Sequence, residues 1–172
     1  MADERYEREL RRLAASAPAG ESAPGTKPAS FVATCRGDAE DVLARAKEVL
    51  RLVAVQALGD WPSEEKWRGI LPGWFVDHFA PPMSEQELAV WVARWSAMSP
   101  RKQEKAARER PWSLVDWLHW VEPANRNWWW RGGAARDSRT LIVEIDLEGW
   151  PASGAPLRRL LQAAGARKVR PA

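Results

Sequence analysis

The fold is decided by residues 127 to 148, which read NWWWRGGAARDSRTLIVEIDLE. Apolar and polar residues alternate along both halves of this stretch, as in strands with one buried face. The pattern predicts strands over residues 127–135 and 140–148, joined at residues 136–139 as a β-hairpin.

The turn sets the expected register of this hairpin. If Arg136 faces Arg139, one face of the hairpin is apolar throughout. The expected pairs on that face are Trp128 with Leu147, Trp130 with Ile145, Gly132 with Val143, and Ala134 with Leu141. The other face is expected to carry Trp129 opposite Asp146 and Arg131 opposite Glu144.

Helices are predicted on either side of the hairpin. Apolar residues recur at helical spacing after the N-cap candidates Asp38, Ser63, Ser84 and Ser113. We therefore expect an α+β fold, with a mainly helical N-terminal two-thirds followed by the β-hairpin and a C-terminal helix. The small antiparallel sheet would be extended by residues 31–35 or 166–170, since a hairpin alone is only marginally stable.

The helix that follows Ser84 carries a regular apolar stripe. Its members lie at i, i+3, i+4, i+7 and i+10, and they are Leu88, Trp91, Val92, Trp95 and Met98. We interpret this stripe as a face packed in the core.

The first 30 residues differ in composition from the rest of the chain. Residues 3–15 predict a short, mostly charged helix, and residues 16–30 read SAPAGESAPGTKPAS, which is typical of a linker. The expected organisation is an N-terminal helix on a flexible Ala/Pro/Gly linker over 1–30, and a single α+β domain over 31–172. The helix would be tethered loosely or dock only against a partner.

Tryptophan accounts for 12 of the 16 aromatic residues. Arginine outnumbers lysine by 20 to 6, and tryptophan has one GC-rich codon, so codon usage explains part of the bias. Helical or strand periodicity accounts for several indoles as core residues. Trp112, Trp120 and Trp129 are left over, and we expect function near them.

Composition also limits the compartment and the partners. The single cysteine, Cys35, excludes an intrachain disulfide, and the N-terminus has no apolar signal-peptide region. These features favour a soluble cytoplasmic protein with no membrane partner. Residues 101–172 carry fourteen basic and eight acidic residues, so nucleic acid is a possible partner.

Two groups of polar residues are candidates for chemistry. Asp116 and His119 share a helical face and suit a metal or an acid/base pair, although Asp116 also completes a capping box, which is the favoured interpretation. Glu144, Asp146 and Glu148 project from one face of a strand. They suit a divalent cation or acid/base catalysis, or form a solvated face neutralised by Arg131.

The Trp129–Arg131 segment is a candidate binding surface. An exposed indole beside an arginine and carboxylates has the composition of a binding hot spot. The alternative is that another helix covers this face. His119 and Trp120 would line a pocket if the domain binds a small ligand.

The stretch from Trp112 to Ala166 resembles Trp-rich hypothetical proteins of actinobacteria. The resemblance rests on WSLVDWLHWVEP, RNWWW, LEGWP and PLRRLLQAAGA, about a third of the chain. It implies that the C-terminal part defines the family, and it assigns no activity or site residues.

The leading hypothesis is a non-catalytic interaction or accessory protein of the immunity, regulatory or assembly class. It would bind a protein partner through its Trp-rich C-terminal surface, because no catalytic or phosphate-loop motif occurs and no cofactor is implied. The first alternative is a ligand-binding or enzymatic domain with a Trp-lined pocket near His119. The second is nucleic-acid binding through the basic helix 100–110 and the C-terminal tail.

Overall fold

A computed structural model describes residues 2–16, 20–149 and 154–172; residues 17–19 of the expected linker and Trp150 lie outside these ranges. Within them the chain forms eight helices and one four-stranded antiparallel sheet, which confirms the α+β fold. In chain order the elements are α1 (Ala2–Ala14), β1 (Thr26–Cys35), α2 (Ala39–Ala57), α3 (Glu64–Ile70), α4 (Gly73–Val76), α5 (Glu85–Ser96), α6 (Pro100–Glu109), α7 (Leu114–Val121), β2 (Trp128–Asp137), β3 (Thr140–Glu148), α8 (Ala155–Ala164) and β4 (Ala166–Pro171).

The sheet has the order β2-β3-β1-β4, so the hairpin β2–β3 forms one side of it. β1 lies between β3 and β4, with Ala33 opposite both Leu141 and Val169. Both additional strands expected from the sequence are therefore present. They give the hairpin the neighbours that it needs for stability.

The hairpin register agrees with the prediction at its open end and departs from it after Trp130. Trp129 faces Asp146 and Trp130 faces Ile145, but Gly132 rather than Arg131 faces Glu144, and Gly133 rather than Gly132 faces Val143. A bulge at Arg131 causes the shift, because it adds one residue to β2 that the alternation cannot reveal. Ala135 rather than Ala134 consequently faces Leu141, and a second irregularity at Arg136 places Asp137 at the turn, opposite Thr140.

The main core lies between the sheet and the helices α2 and α8. Its apolar residues include Leu50 of α2, Leu160 of α8 and Trp130 of β2, which are all fully buried. Gly133 permits the close approach of α2, since a Cβ there would lie 2.7 Å from Leu43 Cδ1. Small residues after the bulge thus let α2 pack directly on the hairpin.

The N-terminal helix α1 packs on β2 and α2. Tyr6 and Leu13 are buried, and residues 26–30 belong to β1. This arrangement differs from the expected loosely attached helix and linker. The physical reason is that the sparse apolar residues of α1 share one face with charged residues that find partners on the hairpin.

Helices α5 and α6 pack on each other and contain no buried residue. The interpretation of the α5 stripe as core is therefore wrong. Periodicity showed that the helix has an apolar face, but it carried no information on what covers that face.

None of the described helices is long and apolar enough to cross a membrane.

Candidate functional site

The three carboxylates of β3 form ion pairs beneath α1. Asp146 is fully buried, whereas Glu144 and Glu148 are partly exposed. The pairs join Glu144 to Arg131 at 3.6 Å, Asp146 to Arg12 at 2.8 Å, and Glu148 to Arg5 at 3.0 Å. Two of the three arginines belong to α1, so the carboxylates attach this helix to the hairpin.

The segment after α1 completes the cover over the polar face of the hairpin. The Ala23 N–H donates to Asp146 Oδ2 at 3.2 Å. The Arg131 guanidinium donates to Ser22 Oγ at 2.7 Å and to the Gly20 carbonyl at 2.8 Å. Arg131 and Asp146 are consequently engaged by the chain itself.

A second ion pair lies wholly inside the protein, between Glu9 of α1 and Arg126, which precedes β2. Both side chains are fully buried, and Glu9 Oε1 accepts from Arg126 Nη2 and from the Trp130 N–H at 2.8 Å. The second contact satisfies a backbone donor of the edge strand β2. Burial raises the pKa of the Glu9 carboxyl above its ordinary value, although Arg126 and the Trp130 N–H act in the opposite direction.

The Arg126 guanidinium is enclosed by aromatic rings. It lies 5.5 Å from the ring centroid of Tyr6, 4.8 Å from that of Trp128 and 4.6 Å from that of Trp129. Trp129 also meets Tyr6 edge-on at 5.0 Å between ring centroids. The cation–π contacts compensate part of the cost of removing this charge from water.

Trp129 is therefore a buried residue, and the expectation of an exposed indole is wrong. The alternative interpretation, that a helix covers this face, describes the structure. Trp129, Arg131, Glu144 and Asp146 are brought together, as the alternation predicted, but α1 lies over them. Sequence reasoning missed Glu9 and Arg126, because nothing local links residues 117 positions apart.

His119 and Trp120 lie at the exposed end of α7. The His119 side chain is 55% exposed and its Nδ1 lies 3.6 Å from Glu122 Oε1, while Trp120 is 41% exposed. Asp116 does not join them, because it accepts from the Ser113 N–H and from Arg110. Burial alone would raise the pKa of Asp116, but these hydrogen bonds lower it below its ordinary value.

Metal chemistry finds no support in these groups. Over residues 2–16, 20–149 and 154–172, no set of three or more His, Cys, Asp or Glu side chains is placed to hold a metal ion. The carboxylates of β3 face arginines instead, and Cys35 is buried, which raises the pKa of its thiol.

Trp112 lies apart from the other candidates, in a cleft between the end of α6 and the start of α8. The indole is half-buried, and the Arg159 guanidinium lies 5.3 Å from its ring centroid. The cleft has a volume of about 320 Å³. The expected site residues thus fall into three separate places: beneath α1, at the end of α7, and in this cleft.

Half of the eight large apolar side chains that are exposed among the described residues lie on α5 or just before it, although sequence reasoning assigned this helix to the core. We define the α5 surface by these four side chains: Met83 (40%), Leu88 (47%), Val90 (57%) and Val92 (46%). Trp91 and Trp95 stack beside them with ring centroids 6.2 Å apart. The available signal was the run LAVWVA at residues 88–93, which is apolar around the whole helix.

Two grooves border the α5 surface. One, of about 450 Å³, runs along the side of α5 that carries Val90, Trp91 and Arg94. The other, of about 310 Å³, lies between Leu88 and Val115 of α7. Grooves on both sides of an exposed apolar helix are suited to contact with another protein.

No protein-family model, curated protein or solved structure matches this chain. The case for function therefore depends on the residues and their geometry.

Proposed function

We propose that this is a non-catalytic cytoplasmic interaction protein that binds another protein through the α5 surface. The observation that carries the proposal is the exposure of the apolar run at residues 88–93 of α5, in which only Trp91 is partly buried. A run that is apolar around the whole helix is ordinarily buried. Because α6 covers only one side of α5, the remaining apolar side chains are available to a partner.

The proposed surface replaces the Trp-rich C-terminal surface favoured by the sequence. Trp129 lies under α1, and its arginine and carboxylate neighbours are engaged by the same helix and the segment after it. Trp91 and Trp95 of α5 supply the aromatic residues that interface hot spots contain. Regulatory, immunity or assembly factors are the class of protein to which such a surface belongs.

Charge indicates the chemistry of the partner. α5 carries two acidic residues and one basic residue, whereas α6 beside it carries four basic and two acidic residues. A second copy of this chain that docked through the same surface would bring two net-positive α6 helices towards each other. We therefore propose a different protein that presents an amphipathic helix, with its apolar stripe flanked by carboxylates.

The test introduces a charge into the α5 surface. Val92→Glu is expected to weaken partner binding at least about tenfold, because burying an unpaired carboxylate opposes association. Retention of partners by the tagged protein from extracts of its native cells, followed by titration of the recovered partner, measures the effect. The variant should unfold at the same temperature as the parent, since Val92 is exposed.

Val55→Glu is the matched control, because Val55 is an equally exposed valine on the helix α2. It should retain the partner at the parental level. Equal retention by both variants would contradict the proposal, and a recovered partner identical to the chain itself would replace it with self-association.

A further inference from the structure

The cleft at Trp112 is a concentration of positive charge beside an aromatic ring. Its walls come from the last turn of α6, from Trp112 and from the first two turns of α8. The residues that line it include Ala107, Arg108, Trp112, Arg158, Arg159 and Gln162. Three of them are arginines, and none of the lining residues is acidic.

The arginines of the α8 wall have no acidic partner among the described residues, since no carboxylate there lies within ion-pair distance of Arg158 or Arg159. Arg108 has only a long, exposed contact with Glu104, at 4.0 Å. Such a set of guanidinium groups around a concave surface attracts an anion.

A neighbouring histidine also responds to this charge. Burial lowers the pKa of His78, and the charges of Arg159 and then Arg36 lower it further. The charge of Arg159 thus also acts on His78, where it disfavours the protonated imidazole.

The Trp112 ring and the Arg159 guanidinium lie against each other in the lining of the cleft. Arg159 lies 5.3 Å from the Trp112 ring centroid, so the two form a cation–π pair. Indole rings and guanidinium planes are both platforms on which nucleobases stack. A volume of about 320 Å³ is within the range of small-molecule sites.

We propose that this cleft binds a nucleotide unit, with its phosphate held by Arg108 and Arg158 and its base stacked on the Trp112–Arg159 pair. The unit belongs either to a free nucleotide or to a single-stranded nucleic acid. Both sources share the chemistry of an anionic phosphate joined to a planar base. The cleft shares one residue, Arg108, with the basic helix α6 that lies beside the α5 surface.

The test measures fluorescence anisotropy of two probes, a fluorescein-labelled dT decamer and a fluorescently labelled nucleoside triphosphate, on the full chain at low salt. Arg158→Ala is expected to weaken binding of the effective probe about tenfold, as the loss of a charged hydrogen bond requires. For the decamer, the plot of the logarithm of the association constant against the logarithm of the salt concentration should become less steep by about 0.7. Arg158 is exposed, so the thermal unfolding midpoint should not change.

Arg136→Ala is the matched control, because Arg136 is an exposed arginine on the hairpin. Tighter binding of the decamer identifies a nucleic-acid strand, and tighter binding of the triphosphate identifies a free nucleotide. Trp112→Leu should weaken binding of either probe. The affinity for inorganic polyphosphate, measured by competition, should stay unchanged. The proposal is overturned if neither probe binds, if Arg136→Ala has the same effect as Arg158→Ala, or if polyphosphate binds as well as both probes.

Discussion

Replacement of Arg126 by alanine is expected to lower the free energy of unfolding by about 3–5 kcal/mol. The substitution leaves the fully buried Glu9 carboxylate without its guanidinium partner. It also removes the cation that packs between Tyr6, Trp128 and Trp129. Denaturant unfolding followed by far-UV circular dichroism measures the change.

The loss should depend on pH in a defined direction. Burial already raises the pKa of Glu9, and without Arg126 the folded protein favours the neutral carboxyl more strongly. A folded-state pKa above the unfolded value means that ionisation opposes folding. The loss of unfolding free energy caused by Arg126→Ala should therefore be smallest below about pH 4.3, the ordinary pKa of glutamate. It should grow as the pH rises through the folded-state pKa of Glu9.

Arg11→Ala provides the control for this prediction, because Arg11 is an exposed arginine on α1. Its effect should stay within about 0.5 kcal/mol. A comparable small loss for Arg126→Ala would mean that α1 does not bury the Glu9–Arg126 pair in solution.

Asp146→Ala is expected to cost a similar amount, about 3–5 kcal/mol. Asp146 is fully buried, and its removal leaves Arg12 without a carboxylate in a site that is almost closed to water. The Ala23 N–H loses its acceptor as well. The expected result is weaker attachment of both α1 and the segment that follows it, measured by denaturant unfolding and by faster amide exchange in α1.

Glu144→Ala separates this structural role from a catalytic or metal-binding one. Glu144 lies on the same face of β3 but is half-exposed, and its pair with Arg131 is long at 3.6 Å. Its loss should cost less than about 1 kcal/mol. If removal of either carboxylate stabilised the protein, these residues would behave as a strained functional cluster instead.

The sequence was most informative where one physical rule acts locally. Alternation along residues 128–130 and 145–147 predicted which side chains share a face, because each side of a strand meets one environment. The same rule failed beyond Arg131, because a bulge changes which face of the sheet each later residue points to, and the composition of the strand does not mark the bulge. In the shifted register Gly133 lies against Leu43 of α2, a contact that the alternation within the hairpin cannot reveal.

Features that depend on contacts between residues far apart in the sequence could not be predicted from it. The polar residues of α1 gave the impression of a solvated helix, although Glu9 and Arg12 are paired with the hairpin. Helical periodicity at Leu88 and Trp91 predicted an apolar stripe correctly, but burial was inferred from it without a covering element. Both errors arise because periodicity identifies the apolar and polar faces of an element, whereas tertiary contacts determine which other elements pack against those faces.

We propose that this protein meets its partner at the α5 surface. Site-specific photo-crosslinking in native cells tests it most directly, with p-benzoylphenylalanine placed at Val92 and, as control, at Val55. We predict a crosslink from position 92 to a different polypeptide and none from position 55. The absence of a crosslink at position 92, crosslinks from both positions alike, or a crosslink only to another copy of this chain would contradict the account.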